Sequence, residues 1–436
     1  MRWASFATTL SLSAALALAA GCGPTGAPSR PAPSGTGPTG QPPGAVPGSP
    51  NPGGPGIAPG TGTPPGQPGG RPDPIREELA RMTPDEKIGQ MVLVGLDGYT
   101  VDEHAASLIQ TDHVGGFILY KNNIQNVSQL AALLNRLKSD NAGNPAPLFL
   151  SVDEEGGRVS RMPDEVHKLP ASAVIGRRND TDLSRAVGGV MAEELRAFGF
   201  NTDFAPVLDI NSNPDNPVIG DRSFGSTPDA ASRQGVAEMR GIQDGGIISV
   251  VKHFPGHGDT SVDSHLGLPR VDHDLGRLRS FELAPFRQAI QSGAEAVMVA
   301  HILFPKIDPA HPASMSPAFM TDLLRREMHF DGVIMTDDLT MGAIVQNDDI
   351  GRAAVQAVRA GADLVLVGHD YDKETAVIRA LQRAAQDGTL PAARIDDSVC
   401  RILQLKHKYR LSDAPVNPPD VTRLNRDIDR VLGRIG

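Results

Sequence analysis

The sequence predicts an α/β fold closed into a TIM-like (β/α)8 barrel, forming one domain. Three observations predict it. Eight short apolar runs without polar alternation recur along the chain, as expected for parallel strands buried on both faces. Segments of helical period fall between them. No GxGxxG or Walker sequence follows the first run, which weakens the alternative of an open doubly wound sheet.

The runs lie at 91–94, 116–119, 148–152, 203–207, 247–251, 296–300, 333–335 and 364–367. Each is too short to be a helix of ordinary length and is rich in Val, Ile, Leu and Phe. Helical patterns occupy 127–137, 182–198, 283–292, 318–328 and 353–359, and 101–110 reads as a surface helix. Gly199 and Gly361 stand where helices should stop. Cys400 falls in an amphipathic stretch, 395–407, and reads as a buried small hydrophobe.

The chain divides by composition. Residues 1–22 begin with a positive Arg2 and continue through a short apolar run to Ala19-Ala20-Gly21-Cys22. This is a secretory signal, too short in its apolar part to span a bilayer. It resembles a bacterial lipoprotein signal, which implies lipidation at Cys22. Residues 23–74 hold 17 Pro and 15 Gly, so they have little to bury and read as a disordered tether. The globular barrel is expected over 75–411, and the tail 412–436 carries no readable role. The 436 residues include 41 Lys+Arg against 51 Asp+Glu, a net charge of −10, which argues against a nucleic-acid partner. Two cysteines exclude a disulfide scaffold and a Cys-based zinc cluster.

In a barrel of this kind, chemistry sits at the C-terminal ends of the strands. The residues just past the runs are polar: Asp153-Glu154-Glu155 after the third, Asp209 after the fourth, Lys252-His253 after the fifth, His301 after the sixth, Asp337-Asp338 after the seventh, His369-Asp370 after the eighth. Any one Asp could be a helix cap, but stability alone needs no such set on one face. Two segments carry the most information. Residues 252–269 read KHFPGHGDTSVDSHLGLP. Lys252 and His253 end a strand, and Pro255, Gly256 and Gly258 then force a long loop. In that loop Asp263 can orient His265 and stabilise its charged form. Residues 332–344 read GVIMTDDLTMGAI and hold a carboxylate rigidly at a strand end. Because strand neighbours alternate, only one of Asp337 and Asp338 is expected to face the pocket.

These segments, with VDEEGGRVSRM at 152–162, resemble family 3 glycoside hydrolases of the single-barrel β-N-acetylglucosaminidase type over about 75–411. The resemblance implies that Asp337 is the nucleophile, that His265 is the acid/base with Asp263 as its partner, and that Asp153, Arg161, Arg222, Lys252 and His253 bind the terminal N-acetylglucosamine. It implies a retaining hydrolase working through a covalent glycosyl-enzyme, without metal or cofactor. The expected substrates are peptidoglycan fragments ending in GlcNAc-β-1,4-MurNAc. The expected setting is a monomeric, membrane-anchored lipoprotein outside the cytoplasm. Three readings compete. A His acid/base leaves less negative charge facing phosphate, so a phosphorylase is conceivable, as is a β-glucosidase on the same site. A non-catalytic sugar-binding lipoprotein is the third. A metal site from His253, His257, His265 and Asp259 is weaker, because the Pro-Gly break removes the helix that usually spaces such ligands. His257 reads instead as a loop anchor, and Asp338 and Met341 as lining or packing residues.

Overall fold

The computed structural model describes residues 73–435. The expected export signal, Cys22 and the tether up to residue 72 lie outside them. The strands are β1 Val92–Val94, β2 Gly116–Leu119, β3 Phe149–Val152, β4 Thr202–Asp203, β5 Ile248–Phe254, β6 Ala296–Val299, β7 Val333–Asp338 and β8 Leu364–Val367. Each pairs in parallel with the next, and β1 pairs with β8 through Leu93 and Leu366, which closes the barrel.

Every residue of β1, β2, β3, β6 and β8 is buried, which is why these strands show no alternation in sequence. The inward side chains fill the barrel, and the outward ones meet the surrounding helices in one continuous apolar cluster. Helix Thr181–Phe198 stops at Gly199 with φ 103°, and helix Ile350–Ala360 stops at Gly361 with φ 130°. Both are conformations that favour glycine.

Three elements depart from the sequence expectation. The fourth strand is only Thr202–Asp203, with a single further bridge from Val207 to Lys252. Pro206 has no N–H to offer a ladder, so regular pairing ends before it. β5 runs on through Lys252, His253 and Phe254, whose charged members read in sequence as a strand end. Cys400 is half-buried rather than buried, and burial raises its thiol pKa.

The tail folds. Helix Val421–Leu432 buries Leu424, Ile428 and Val431. Asn425 accepts from His167 N–H at 2.9 Å and donates to Glu165 O at 2.9 Å, which braces the connection leading out of β3. At the opposite end of the barrel from the strand C-termini, the Lys406 ammonium donates to Gln90 Oε1 at 2.7 Å and Gly115 O at 3.0 Å. Burial pushes its pKa down to about 7. Among the described residues no helix is long and apolar enough to cross a membrane.

Candidate active site

At the C-terminal ends of the strands a cavity of about 400 Å³ opens. All eight expected site residues of the described chain line it: Asp153, Arg161, Arg222, Lys252, His253, Asp263, His265 and Asp337. Its volume suits a small ligand.

One wall is a buried charge network. Lys252 Nζ donates to Asp153 Oδ1 at 2.5 Å and meets Glu155 Oε1 at 2.6 Å. Arg222 grips the same Glu155 with both ends of its guanidinium, each at 2.7 Å. Burial would lift the Glu155 carboxyl, but Arg222 and Lys252 outweigh it and hold its pKa far below the carboxylate range. Burial would likewise lower the Lys252 pKa, and Asp153 and Glu155 reverse this and raise it. Glu155, Arg222 and Lys252 therefore stay charged. Behind them, Asp209 accepts from His253 Nδ1 at 2.6 Å and from His257 N–H at 2.6 Å. That contact leaves His253 Nε2 turned toward Arg222, 3.4 Å away.

Arg161 reaches the cavity from the connection after β3. Its N–H donates to Glu154 Oε2 at 2.8 Å, while its buried Nε has no hydrogen-bond partner among the described residues. Glu154 itself is buried, and desolvation pushes its pKa up to about 7.

β7 delivers the carboxylate. Asp337 is half-buried at the cavity, and the desolvation it does suffer favours its neutral form. The imidazoles of His301 and His253, the hydrogen bond from Asp338 N–H at 2.9 Å and the His265 ring outweigh burial and hold its pKa low. It stands as a carboxylate facing the cavity. His301 is fixed between Ser314 Oγ at 2.6 Å and the Asp338 carbonyl at 2.9 Å, and burial lowers its pKa. Its Nε2–H therefore donates to the carbonyl, which pins the backbone beside Asp337.

Strict alternation does not hold at this pair. Both Asp337 and Asp338 line the cavity. The pairing of β7 with β8 shifts register between Met335 and Asp338, so strict alternation is lost there. The pairing of β5 with β6 shifts between Val251 and Phe254 in the same way, and Lys252 and His253 both face inward. The two acids still differ in role. Asp338 Oδ1 accepts from Thr340 N–H at 2.9 Å, Thr340 Oγ1 at 2.8 Å and Gly368 N–H at 3.0 Å, and Oδ2 accepts from Tyr120 at 3.3 Å. It ties β7 to β8 and β2, whereas Asp337 takes one hydrogen bond and faces the open space.

The long loop after β5 carries the dyad. Asp263 Oδ1 accepts from His265 Nδ1 at 2.8 Å and from its backbone N–H at 2.9 Å. Partial burial would raise the Asp263 pKa, but these two hydrogen bonds overcome it and lower it. Nδ1 is thereby the protonated nitrogen, and Nε2 remains for exchange with a ligand. His257 anchors the loop root as expected, with Nδ1 on Thr260 Oγ1 at 2.8 Å and Nε2 on Ser264 Oγ at 3.2 Å. Burial pushes its pKa down to about 4. The four residues of the metal alternative do not converge. Asp259 pairs with His273 at 2.8 Å, and His253 and His265 answer to different carboxylates.

Sequence reasoning left Glu155, Asp209 and Tyr120 out of the candidate set. The first two stand at strand ends and were visible as such, but only the fold shows that they hold Arg222 and His253. Tyr120 directly follows β2, where the same strand-end rule would have found it. Its hydroxyl faces Asp338, and its ring stacks on His369 at 4.4 Å between centroids. Burial raises its pKa strongly, reinforced by Asp338, Asp153 and Asp337.

A charged wall, an ionised carboxylate at a strand end and an imidazole on the loop beside it are the means of a barrel hydrolase acting on a polar substrate. The profile of the glycosyl hydrolase family 3 N-terminal domain matches residues 83–405, and the chain belongs to that family. It is similar to a β-hexosaminidase of Neisseria meningitidis, 39% identical over 64% of this chain and 77% of the relative. It is also similar to β-hexosaminidase A of Pseudoalteromonas piscicida, 35% identical over 72% of this chain, though the match spans only 57% of that relative. The solved family 3 β-N-acetylglucosaminidase of Paenibacillus sp. FPU-7 superposes with a TM-score of 0.76 at 42% identity, covering 80% of this chain and 68% of that one. Within the family, the chain is of the β-N-acetylhexosaminidase type.

Proposed function

We propose that the protein is a retaining exo-β-N-acetylglucosaminidase that removes non-reducing terminal GlcNAc from peptidoglycan fragments. The observation that carries the reading is the pairing of two differently held groups in one cavity: a half-buried carboxylate kept ionised, Asp337, and an Asp263-supported imidazole, His265.

Asp337 attacks the anomeric carbon. The carbon–oxygen bond to the leaving sugar breaks as the Asp337 ester forms, and His265 gives its proton to the departing oxygen. Water then enters. His265, now neutral, takes a proton from it, the water oxygen bonds to the anomeric carbon, and the Asp337 carboxylate is released. Two displacements give net retention. Asp153, Lys252, Arg222 and His253 offer fixed donors and acceptors to the hydroxyls of the terminal sugar, and the unpaired Arg161 Nε is a further donor. No cofactor or metal enters a step.

The setting is proposed from the N-terminal sequence. Lipidation at Cys22 and the Pro/Gly-rich tether would hold the barrel outside the cytoplasmic membrane, within reach of wall fragments. Incorporation of labelled fatty acid, lost in Cys22→Ala, tests the anchor. The activity is tested by turnover of a chromogenic β-N-acetylglucosaminide, with and without phosphate and beside the β-glucoside. Free GlcNAc released independently of phosphate is expected. Sugar phosphate as product would make the protein a phosphorylase. Preference for the glucoside would overturn the substrate class, and absence of turnover on either would leave a binding protein.

A further inference from the structure

The acid/base loop has a firm root and a thinly held tip. At the root His257, Thr260 and Ser264 are buried and bonded to one another, and Asn216 donates to His257 O at 2.9 Å. At the tip Leu266 is 75% exposed, and the His265 side chain is 65% exposed. Within the tip, Leu266 N–H and Gly267 N–H both return to Asp263 O, which stiffens the turn but does not attach it to the barrel.

Among the described residues, the hydrogen bonds that attach the tip to the barrel come from one place. Gly342 N–H donates to His265 O at 3.2 Å, and Ala343 N–H donates to Ser264 O at 3.0 Å. The Gln346 side-chain amide donates to Leu266 O at 3.1 Å. All three donors belong to the turn that follows β7, the strand that carries Asp337. Contact there is close. A Cβ on Gly342 would come within 2.6 Å of His265 O and 2.8 Å of Gln346 Nε2, with Leu266 C at 3.1 Å. A backbone carbonyl cannot yield at that distance, so the loop could not dock against any larger residue.

We infer that Gly342 and Gln346 are positioning residues for proton transfer: Gly342 is the seat on which the acid/base loop rests, and Gln346 is the latch that holds it there. The inference rests on the reading of His265 as the acid/base. Its physical content is that β7 sets both partners of the reaction. The strand places Asp337 on one side of the anomeric carbon, and the turn five residues later fixes how far away the imidazole stands. Neither residue donates or accepts the transferred proton.

The test separates proton delivery from everything else. In the full-length enzyme, kcat/KM is measured on 2,4-dinitrophenyl β-N-acetylglucosaminide, whose leaving group needs no proton, and on an alkyl β-N-acetylglucosaminide, whose leaving group does. The readout is the alkyl-to-dinitrophenyl ratio, which a merely structural loss would not move. General acid assistance amounts to about 10²–10⁴-fold, so Gly342→Ala is expected to lower the ratio by a large part of that factor. Gln346→Ala, an exposed change that cannot unfold the barrel, is expected to lower it about 2- to 10-fold, the worth of one hydrogen bond. His265→Ala is the control. A reduced ratio in His265→Ala with wild-type ratios in Gly342→Ala and Gln346→Ala would overturn the inference and leave the acid/base reading intact. A wild-type ratio in His265→Ala would overturn the acid/base reading, and the inference with it.

Discussion

In the wall built from β3 and β5, the Lys252 side chain is 2% exposed and stands between two carboxylates at 2.5 and 2.6 Å. In the loop that faces it, the His265 ring is 65% exposed and leans on one carboxylate at 2.8 Å. The two sides of the cavity are thus held by opposite means. Buried charges must be paired and hydrogen-bonded to be tolerated at all, and once paired they hardly move. That suits a surface that must present the same donors and acceptors to every sugar. An exposed dyad incurs little desolvation and can shift with its loop. That suits a group that must meet the leaving oxygen first and a water molecule afterwards. Asp337, half-buried at the end of β7, stands between the two in burial, and β7 joins them.

Substitutions can break this contrast. The largest loss is expected at Asp337→Asn, which removes the nucleophile while keeping shape. Turnover of an N-acetylglucosaminide should fall by at least about 10⁴-fold, the order of loss when one member of a catalytic unit is removed. Thermal unfolding should hardly move. Next comes His265→Ala. Hydrolysis of an alkyl glycoside should slow by about 10²–10⁴-fold, with unfolding within about 0.5 kcal/mol of wild type because the side chain is exposed. A clear loss of stability in His265→Ala would show that the loop, too, is part of the structural frame.

Lys252→Met tests the wall from the other direction. It leaves Asp153 without its cation and Glu155 with Arg222 alone. Removing one partner of a buried pair costs roughly 3–5 kcal/mol, so denaturant unfolding should show a loss of that order together with a raised KM. An unchanged unfolding midpoint would mean that water enters the wall and screens it.

The smallest expected effects are in the pH dependence of stability, and they have opposite signs in the two regions. Glu154 lies beneath the wall with its pKa raised to about 7 by burial, against about 4.5 when unfolded. The folded state then binds the extra proton between those values, so this group favours folding below pH 4.5 and its contribution is lost as pH rises toward 7. His257 at the loop root has its pKa lowered to about 4, against about 6.5 unfolded. There the unfolded state binds the extra proton, so the contribution is present above pH 6.5 and is lost as pH falls toward 4. In denaturation midpoints measured across pH 4–8, Glu154→Gln should make the decline toward neutral pH shallower and His257→Asn the decline toward acid shallower, the remainder coming from the other carboxyl groups that folding shifts. Wild-type slopes in both variants would contradict these assignments.

Much of the barrel was legible because its strands are buried on both faces, and burial on both faces leaves an unbroken apolar run. The same rule failed where chemistry interrupts it. Lys252 and His253 belong to β5, yet charged residues inside a strand read as its end. Pro206 shortens β4 although the sequence around it is apolar. The site was legible as a set of ionisable residues at strand ends, since that is where the fold exposes side chains to one common space. What they do to each other was not. Glu155 and Arg222 are 67 positions apart and meet at 2.7 Å, and no local pattern encodes that. The alternation rule excluded one of Asp337 and Asp338, and a register shift between β7 and β8 admits both. The tail read as a short charged helix without a role, because what helix Val421–Leu432 does depends on its buried Leu424, Ile428 and Val431 and on Asn425, whose partners at Glu165 and His167 lie far back in the chain.

The central claim is that Asp337 forms the bond to the sugar. Mass spectrometry of the protein after exposure to a 5-fluoro N-acetylglucosaminyl fluoride tests it directly, because the fluorine slows release of the intermediate. One sugar per chain, on the peptide containing Asp337 and at that residue, is the predicted result. A sugar on Asp338, or no adduct while the compound is still turned over, would contradict the account.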